Sequence, residues 1–177
     1  MREAVGGAWL LGIAVTIIAL FTAYLAFSVN YAKAFKVKDG IIEKIEKYEG
    51  FSGSSTTPGT PIYEIDMFLK KIAYNNQAPC SSVVDITNKA GSRWVGVNGS
   101  TISPVSSGSS SSSTQKYNYC VERVTKLGMG GDYTTAYYKV TVFYGLSLGF
   151  VDLNSIFNLT GETKTIYYPK DGWFWGT

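Results

Sequence analysis

The chain has 177 residues, 45% hydrophobic and 16% charged, with two cysteines, no histidine and a formal net charge of +3. That length holds one globular domain plus an appendage, and so mild a charge balance lacks the strongly basic face of a nucleic-acid binder. The lack of histidine removes imidazole acid–base chemistry and histidine metal ligation.

Ala4 to Val29 is a run of 26 residues without a charge. As a helix it is roughly 39 Å long, enough to cross a hydrocarbon core of about 30 Å with some tilt. A cleaved signal peptide is the competing reading, since Arg2 gives a basic start and Ala32-Lys33-Ala34 has the small-x-small form of a cleavage site. Signal h-regions span only about 7–15 residues, so the membrane helix is preferred. At about 100° per residue, Ala4, Ala8, Gly12, Thr16, Ala19, Ala23, Ala26 and Asn30 share one arc of the wheel. Small residues let helix backbones approach closely in lipid, so this arc is a candidate helix-packing face.

The pattern continues beyond the apolar run. Ala34, Val37, Ile41, Ile45 and Tyr48 keep helical spacing and extend the same arc, while most of the charges lie elsewhere. Gly40 interrupts this stretch, which makes it the place for a bend. One helix from about Glu3 to Tyr48 is expected: residues 1–30 form its transmembrane half and 31–50 its amphipathic extension. Gly50 and the turn-rich FSGSSTTPGTP end it.

Residues 51–177 form the head. Pro61-Ile62-Tyr63 opens a second helix with Ile62, Ile65, Phe68, Leu69 and Ile72 on one face, stopping near Asn75-Asn76. Strands are expected at Tyr117–Leu127, Ala136–Leu148 and Lys164–Tyr168, with a hairpin turn at Gly128–Asp132. Phe150–Leu159 reads as a short helix or a loop. The fold class is thus α+β, a long helix packed on an antiparallel sheet of three or four strands. Ser106–Ser113 is a low-complexity, solvated loop within the head. Cys80 and Cys120 pair in an oxidising setting or stay as two free thiols in a reduced one; the bridge is preferred. The count of flanking lysines favours a cytoplasmic head, whereas the cysteine pair and the Ser/Thr/Tyr/Gly composition favour an external one, and the external reading is preferred.

Chemistry is poorly represented. Ser113-Thr114-Gln115-Lys116 matches S-x-x-K only because a serine tract precedes it, and no partner motif accompanies it. Gly128–Gly131 lacks the Gly-Lys-Ser/Thr of a phosphate loop, and Asp66, Asp85, Glu122, Asp132 and Asp152 show no pairing pattern. Asn98-Gly99-Ser100 and Asn158-Leu159-Thr160 fit the glycosylation sequon. No enzyme activity, cofactor, metal or small-molecule substrate is expected.

A helix that is half membrane-apolar and half amphipathic, carrying a small disulfide-bonded β head, resembles the layout of type IV pilins and pseudopilins. The start Arg2-Glu3-Ala4-Val5-Gly6-Gly7 and the phrase Tyr31-Ala32-Lys33-Ala34-Phe35-Lys36-Val37-Lys38 look like the TadE-like pilin-related proteins of tight-adherence secretion clusters. Thr160-Gly161-Glu162-Thr163-Lys164-Thr165-Ile166-Tyr167 is similar to their closing strands, and the similarity spans roughly the first 50 and last 35 residues. The resemblance implies a minor pilin-like component of a cell-surface filament or secretion apparatus. Its partners would be the membrane, other pilin-like subunits and assembly-platform proteins, all met through the helix. Glu3 would neutralise a neighbour's terminal amine; an interfacial glutamate beside Arg2 is the plainer reading. No basic leader ending in Gly or Ala is visible before Glu3, a departure that favours a minor over a major subunit. The alternative is a single-pass surface protein whose head binds a ligand or partner.

Overall fold

The apolar and amphipathic runs fold as one element. Helix α1 (Arg2–Lys47) continues without interruption through Gly40 in the computed structural model, which describes residues 2–80, 92–99, 101–105, 115–127, 133–148 and 151–169. In its second half Ala34, Val37, Ile41 and Ile45 are buried, the stripe expected from their spacing. The helix is not broken at Gly40. A methyl group there would collide with the Phe68 ring, so the glycine admits a neighbouring helix at close range.

That neighbour is α2 (Pro61–Lys71). Thr60 caps it, its Oγ1 accepting the Tyr63 N–H, and Pro61 occupies the first turn, where a missing N–H costs nothing. Ile62, Ile65 and Leu69 are buried, with Phe68 and Ile72 packed against the core, so the expected face holds. The helix stops at Lys71, four residues before Asn75. Both helices close in the same way. Gly50 N–H donates to Ile45 O and Glu49 N–H to Glu46 O, while Tyr74 N–H donates to Leu69 O and Ala73 N–H to Lys70 O. These are Schellman closures, with Glu49 (φ 51°) and Ala73 (φ 48°) in the left-handed position usually held by glycine.

Among the described residues the sheet has six strands: β1 (Ser92–Asn98), β2 (Thr101–Val105), β3 (Tyr119–Leu127), β4 (Tyr133–Leu148), β5 (Val151–Glu162) and β6 (Ile166–Pro169). Their order is β2-β1-β3-β4-β5, every pairing is antiparallel, and β6 joins β4 along Tyr133–Ala136. Three or four strands were too few. In β1 and β2, Gly96 and Pro104 interrupt short stretches that show little alternation; Gly96 is needed because a Cβ there would enter the Tyr117 ring. The helix or loop expected at Phe150–Leu159 is instead most of β5. Its alternation is broken by a register slip: Gly145 pairs with Ile156 but Leu146 with Leu153. The turn expected at Gly128–Asp132 and the serine loop 106–113 lie outside the described residues.

One face of the sheet meets α1. Tyr119 and Val121 of β3, and Tyr138, Val140, Val142 and Tyr144 of β4, alternate inward onto the Ala34–Ile45 stripe. On the opposite face Ala78, Cys80, Tyr117, Cys120 and Phe143 form a second cluster. Cys80 and Cys120 are disulfide-bonded, 5.9 Å apart at Cα, tying the segment after α2 to β3.

Tyr74 completes this arrangement. β3 ends its pairing at Tyr119–Val142, leaving the next residue of β4 without a strand partner on that edge. Phe143 N–H donates to the Tyr74 hydroxyl (2.9 Å), and the hydroxyl donates to Phe143 O. One side chain thus stands in for a missing strand. Burial pushes the Tyr74 phenol up to about 12, against a smaller lowering by its Phe143 hydrogen bond. The fully buried Tyr119 is also raised, first by burial and then by the charge of Asp66.

Candidate functional site

The chemistry-bearing motifs of the sequence do not converge. Gln115 and Lys116 are exposed, and the rest of the S-x-x-K match lies outside the described residues, as do Asp85, Asp132 and the Asp152 side chain. Asp66 pairs with Lys70 at 2.6 Å, one turn along α2. Asn98 is engaged in the fold, accepting from Gln77 Nε2 (3.1 Å) and donating to Lys116 O (3.2 Å), whereas Asn158 is exposed on β5. No group of three or more His, Cys, Asp or Glu residues suited to a metal occurs among the described residues. The feature that remains is α1 and its junction with the head.

α1 is long and apolar enough to cross a membrane. Its first half is bare: Trp9, Leu10, Leu11, Ile18, Leu20 and Phe21 are between 63% and 74% exposed. Its two threonine hydroxyls are satisfied within the helix, Thr16 Oγ1 donating to Gly12 O (2.8 Å) and Thr22 Oγ1 to Ala19 O (2.9 Å). Neither hydroxyl therefore presents an unmet donor to a hydrocarbon environment. Along the small-residue arc, Ala8, Gly12 and Thr16 are exposed and Ala19, Ala23 and Ala26 half-buried. The side chains of Glu3 and Ala4 lie outside the described residues. On this helix, the arc lies on the side that carries the head, since Ala34, Val37 and Ile41 continue it.

Where the uncharged run ends, an aromatic collar joins helix to head. Phe27 packs edge-on against Phe157 (5.8 Å between ring centres) and tilted against Tyr144 (5.9 Å). Tyr144 stacks on Phe157 at 5.4 Å and meets Tyr31 edge-on at 5.7 Å. Beside the rings, Asn30 Nδ2 donates to Gly145 O at 3.0 Å. The Asn30 amide is thus paired with a backbone carbonyl of β4. Just beyond, Lys33 Nζ donates to Ala73 O at the end of α2, and Lys38 lies 4.1 Å over the Phe35 ring.

The far end of α1 is fastened differently. Glu46 Oε1 accepts the Lys164 N–H (2.8 Å) in the gap between β5 and β6, and Thr163 Oγ1 accepts the Tyr138 N–H (3.0 Å). Between these fastenings, a Cβ at Gly161 would strike Ile42 and Lys38, so β5 lies directly on the helix. Sequence reasoning missed the collar. Its one local signal was the spacing of Phe27 and Tyr31, one turn apart at the close of the uncharged run; Tyr144 and Phe157 come from distant strands. Compared with known proteins, the chain matches no family model, no curated protein and no solved structure.

Proposed function

We propose that this chain is a minor pilin-like, TadE-like structural component of a cell-surface filament or secretion apparatus, with its head outside the cell. The observation that carries the reading is α1 itself. One unbroken helix is bare and membrane-apolar for half its length and buried against an antiparallel head for the other half. A head that only needed tethering would be served by a flexible linker; here the tether is part of the core. The bare half holds the subunit in the bilayer before assembly, and the arc Ala8–Gly12–Thr16 allows close approach of equivalent helices. The disulfide suits an oxidising exterior. Protease treatment of intact cells tests the location: digestion of the head without lysis is expected, and digestion only after lysis overturns the reading. Coding beside an assembly ATPase and a polytopic platform protein is expected too. A chain found alone, whose helices never crosslink, fits a solitary surface receptor instead.

A further inference from the structure

The lysines of the two helices gather at the end of the head nearest the bare half of α1. Phe68 meets α1 at Gly40, and Lys33 Nζ donates to Ala73 O at 3.1 Å. α2 therefore runs antiparallel to α1, with its C-terminal end toward the bare half. From the Gly40–Phe68 contact, one helical turn in that direction reaches Lys36 on α1 and Lys71 on α2. On this side of the contact the helices carry Lys33, Lys36, Lys38, Lys70 and Lys71 against the single acid Asp39. On the other side the balance reverses, with Glu43, Glu46, Glu64 and Asp66 against Lys44 and Lys47. Because the helices run in opposite directions, this sorting needs opposite charge orders in their sequences, and both have it.

Pairing leaves three of these lysines uncompensated. Lys38 pairs with Asp39 (3.1 Å) and Lys70 with Asp66 (2.6 Å). The Lys33 ammonium donates to a neutral carbonyl, and among the described residues Lys36 and Lys71 have no ion-pair partner. Lys33, Lys36 and Lys71 are all exposed. The macrodipole of α2 accounts for a lysine in its last turn, but not for Lys33 and Lys36 in the middle of α1.

Their level is that of a bilayer surface. About 20 residues of helix cross a hydrocarbon core, so the longer uncharged run Ala4–Val29 carries its end into the headgroup layer. Lys33 and Lys36 follow Val29 by about 6 and 10 Å along the helix axis. Those distances are within roughly one Debye length of about 8–10 Å, before the reach of the side chains is counted.

We propose that Lys33, Lys36 and Lys71 form a binding surface for anionic phospholipid headgroups at the foot of the head. It rests on the reading of α1 as a membrane anchor. Each ammonium offers a compact charge and hydrogen-bond donors to a headgroup phosphodiester, and the two helices set these charges on one side of the anchor. Anionic lipid gathered there ties the α2 side of the head to the bilayer surface.

The test uses the full chain, with a donor dye on Asn75→Cys, in phosphatidylcholine vesicles. Asn75 is exposed just beyond Ala73, and Cys80 and Cys120 are bonded to each other, so the dye goes to the introduced thiol. Energy transfer is compared between traces of acceptor-labelled phosphatidylglycerol and acceptor-labelled phosphatidylcholine. Transfer to phosphatidylglycerol is expected to be at least about twofold greater, and to lose its excess in high salt. Lys36→Gln/Lys71→Gln should bring the ratio at least halfway to unity with an unchanged unfolding midpoint. Lys47→Gln/Lys126→Gln, which removes two exposed lysines distant from the patch, should leave it as it is. Equal transfer to the two lipids overturns the proposal and leaves the anchor standing. So does a preference that Lys36→Gln/Lys71→Gln keeps, or that the distant pair lowers as much. No transfer to either lipid overturns the anchor reading itself.

Discussion

The two halves of α1 have the same backbone and nearly the same small-to-apolar arc, yet opposite fates. From Ala34 to Ile45 the arc is buried by the head; from Ala8 to Thr16 it is bare. The difference lies in what surrounds the arc. In the second half charged residues occupy the other faces, so burial has a direction and water enforces it. In the first half every face is apolar, and only side-chain size distinguishes one side from another. Amphipathicity fixes a partner within the chain, whereas uniform apolarity leaves the helix to lipid and to other helices.

The head is stabilised independently of the bare half, and the largest effect is expected there. Replacing both cysteines with serine should lower head stability by about 4 kcal/mol by the loop-entropy model, for a bridge spanning 40 positions. Denaturant titration in detergent measures the loss, and membrane extraction should stay unchanged. Next, Ile41→Ala should cost about 3 kcal/mol, because Ile41 is 0% exposed. Ile18→Ala, in the bare half, should leave the unfolding midpoint where it is. Equal effects at the two sites would break the contrast between the halves.

Tyr74→Phe should cost about 2 kcal/mol by leaving the Phe143 N–H and C=O unmet. It also carries a pH signature. The Tyr74 phenol is raised from 10.0 to about 12 in the folded state, so its contribution is complete below pH 10 and is lost as pH rises toward 12. The slope is at most about 1.4 kcal/mol per pH unit. Tyr119 adds loss in the same direction. Urea titrations between pH 8 and 11 should show alkaline destabilisation that is shallower in Tyr74→Phe; parallel curves would remove Tyr74 as the latch. The smallest effect separates two glycines. Gly40→Ala should cost about 1–2 kcal/mol through its clash with Phe68. Gly12→Ala meets nothing within 4 Å and should be neutral in the isolated chain.

What the sequence made legible follows from these patterns. Ala34, Val37, Ile41 and Ile45 declare a buried stripe by spacing alone, and Pro61-Ile62-Tyr63 declares a helix start. Tyr138 through Tyr144 alternate because one face of β4 lies on α1, so that strand was readable too. β5 was not, because the slip between Gly145 and Leu146 breaks its alternation and polar residues interrupt it. The use of Gly40 was not readable, because a glycine's cost in a helix is a local property, while its close approach here depends on Phe68, a residue of another helix. The collar was hidden for the same reason: Phe27 meets Tyr144 and Phe157 only once the sheet has formed.

The central claim is that the bare arc of α1 packs against its like within a membrane. Disulfide crosslinking in native membranes tests it most directly, comparing Gly12→Cys with Leu10→Cys, which lies about 160° away around the helix. Oxidation is expected to yield crosslinked dimers from Gly12→Cys and few from Leu10→Cys. Equal yields from the two positions, or none from Gly12→Cys, would contradict it.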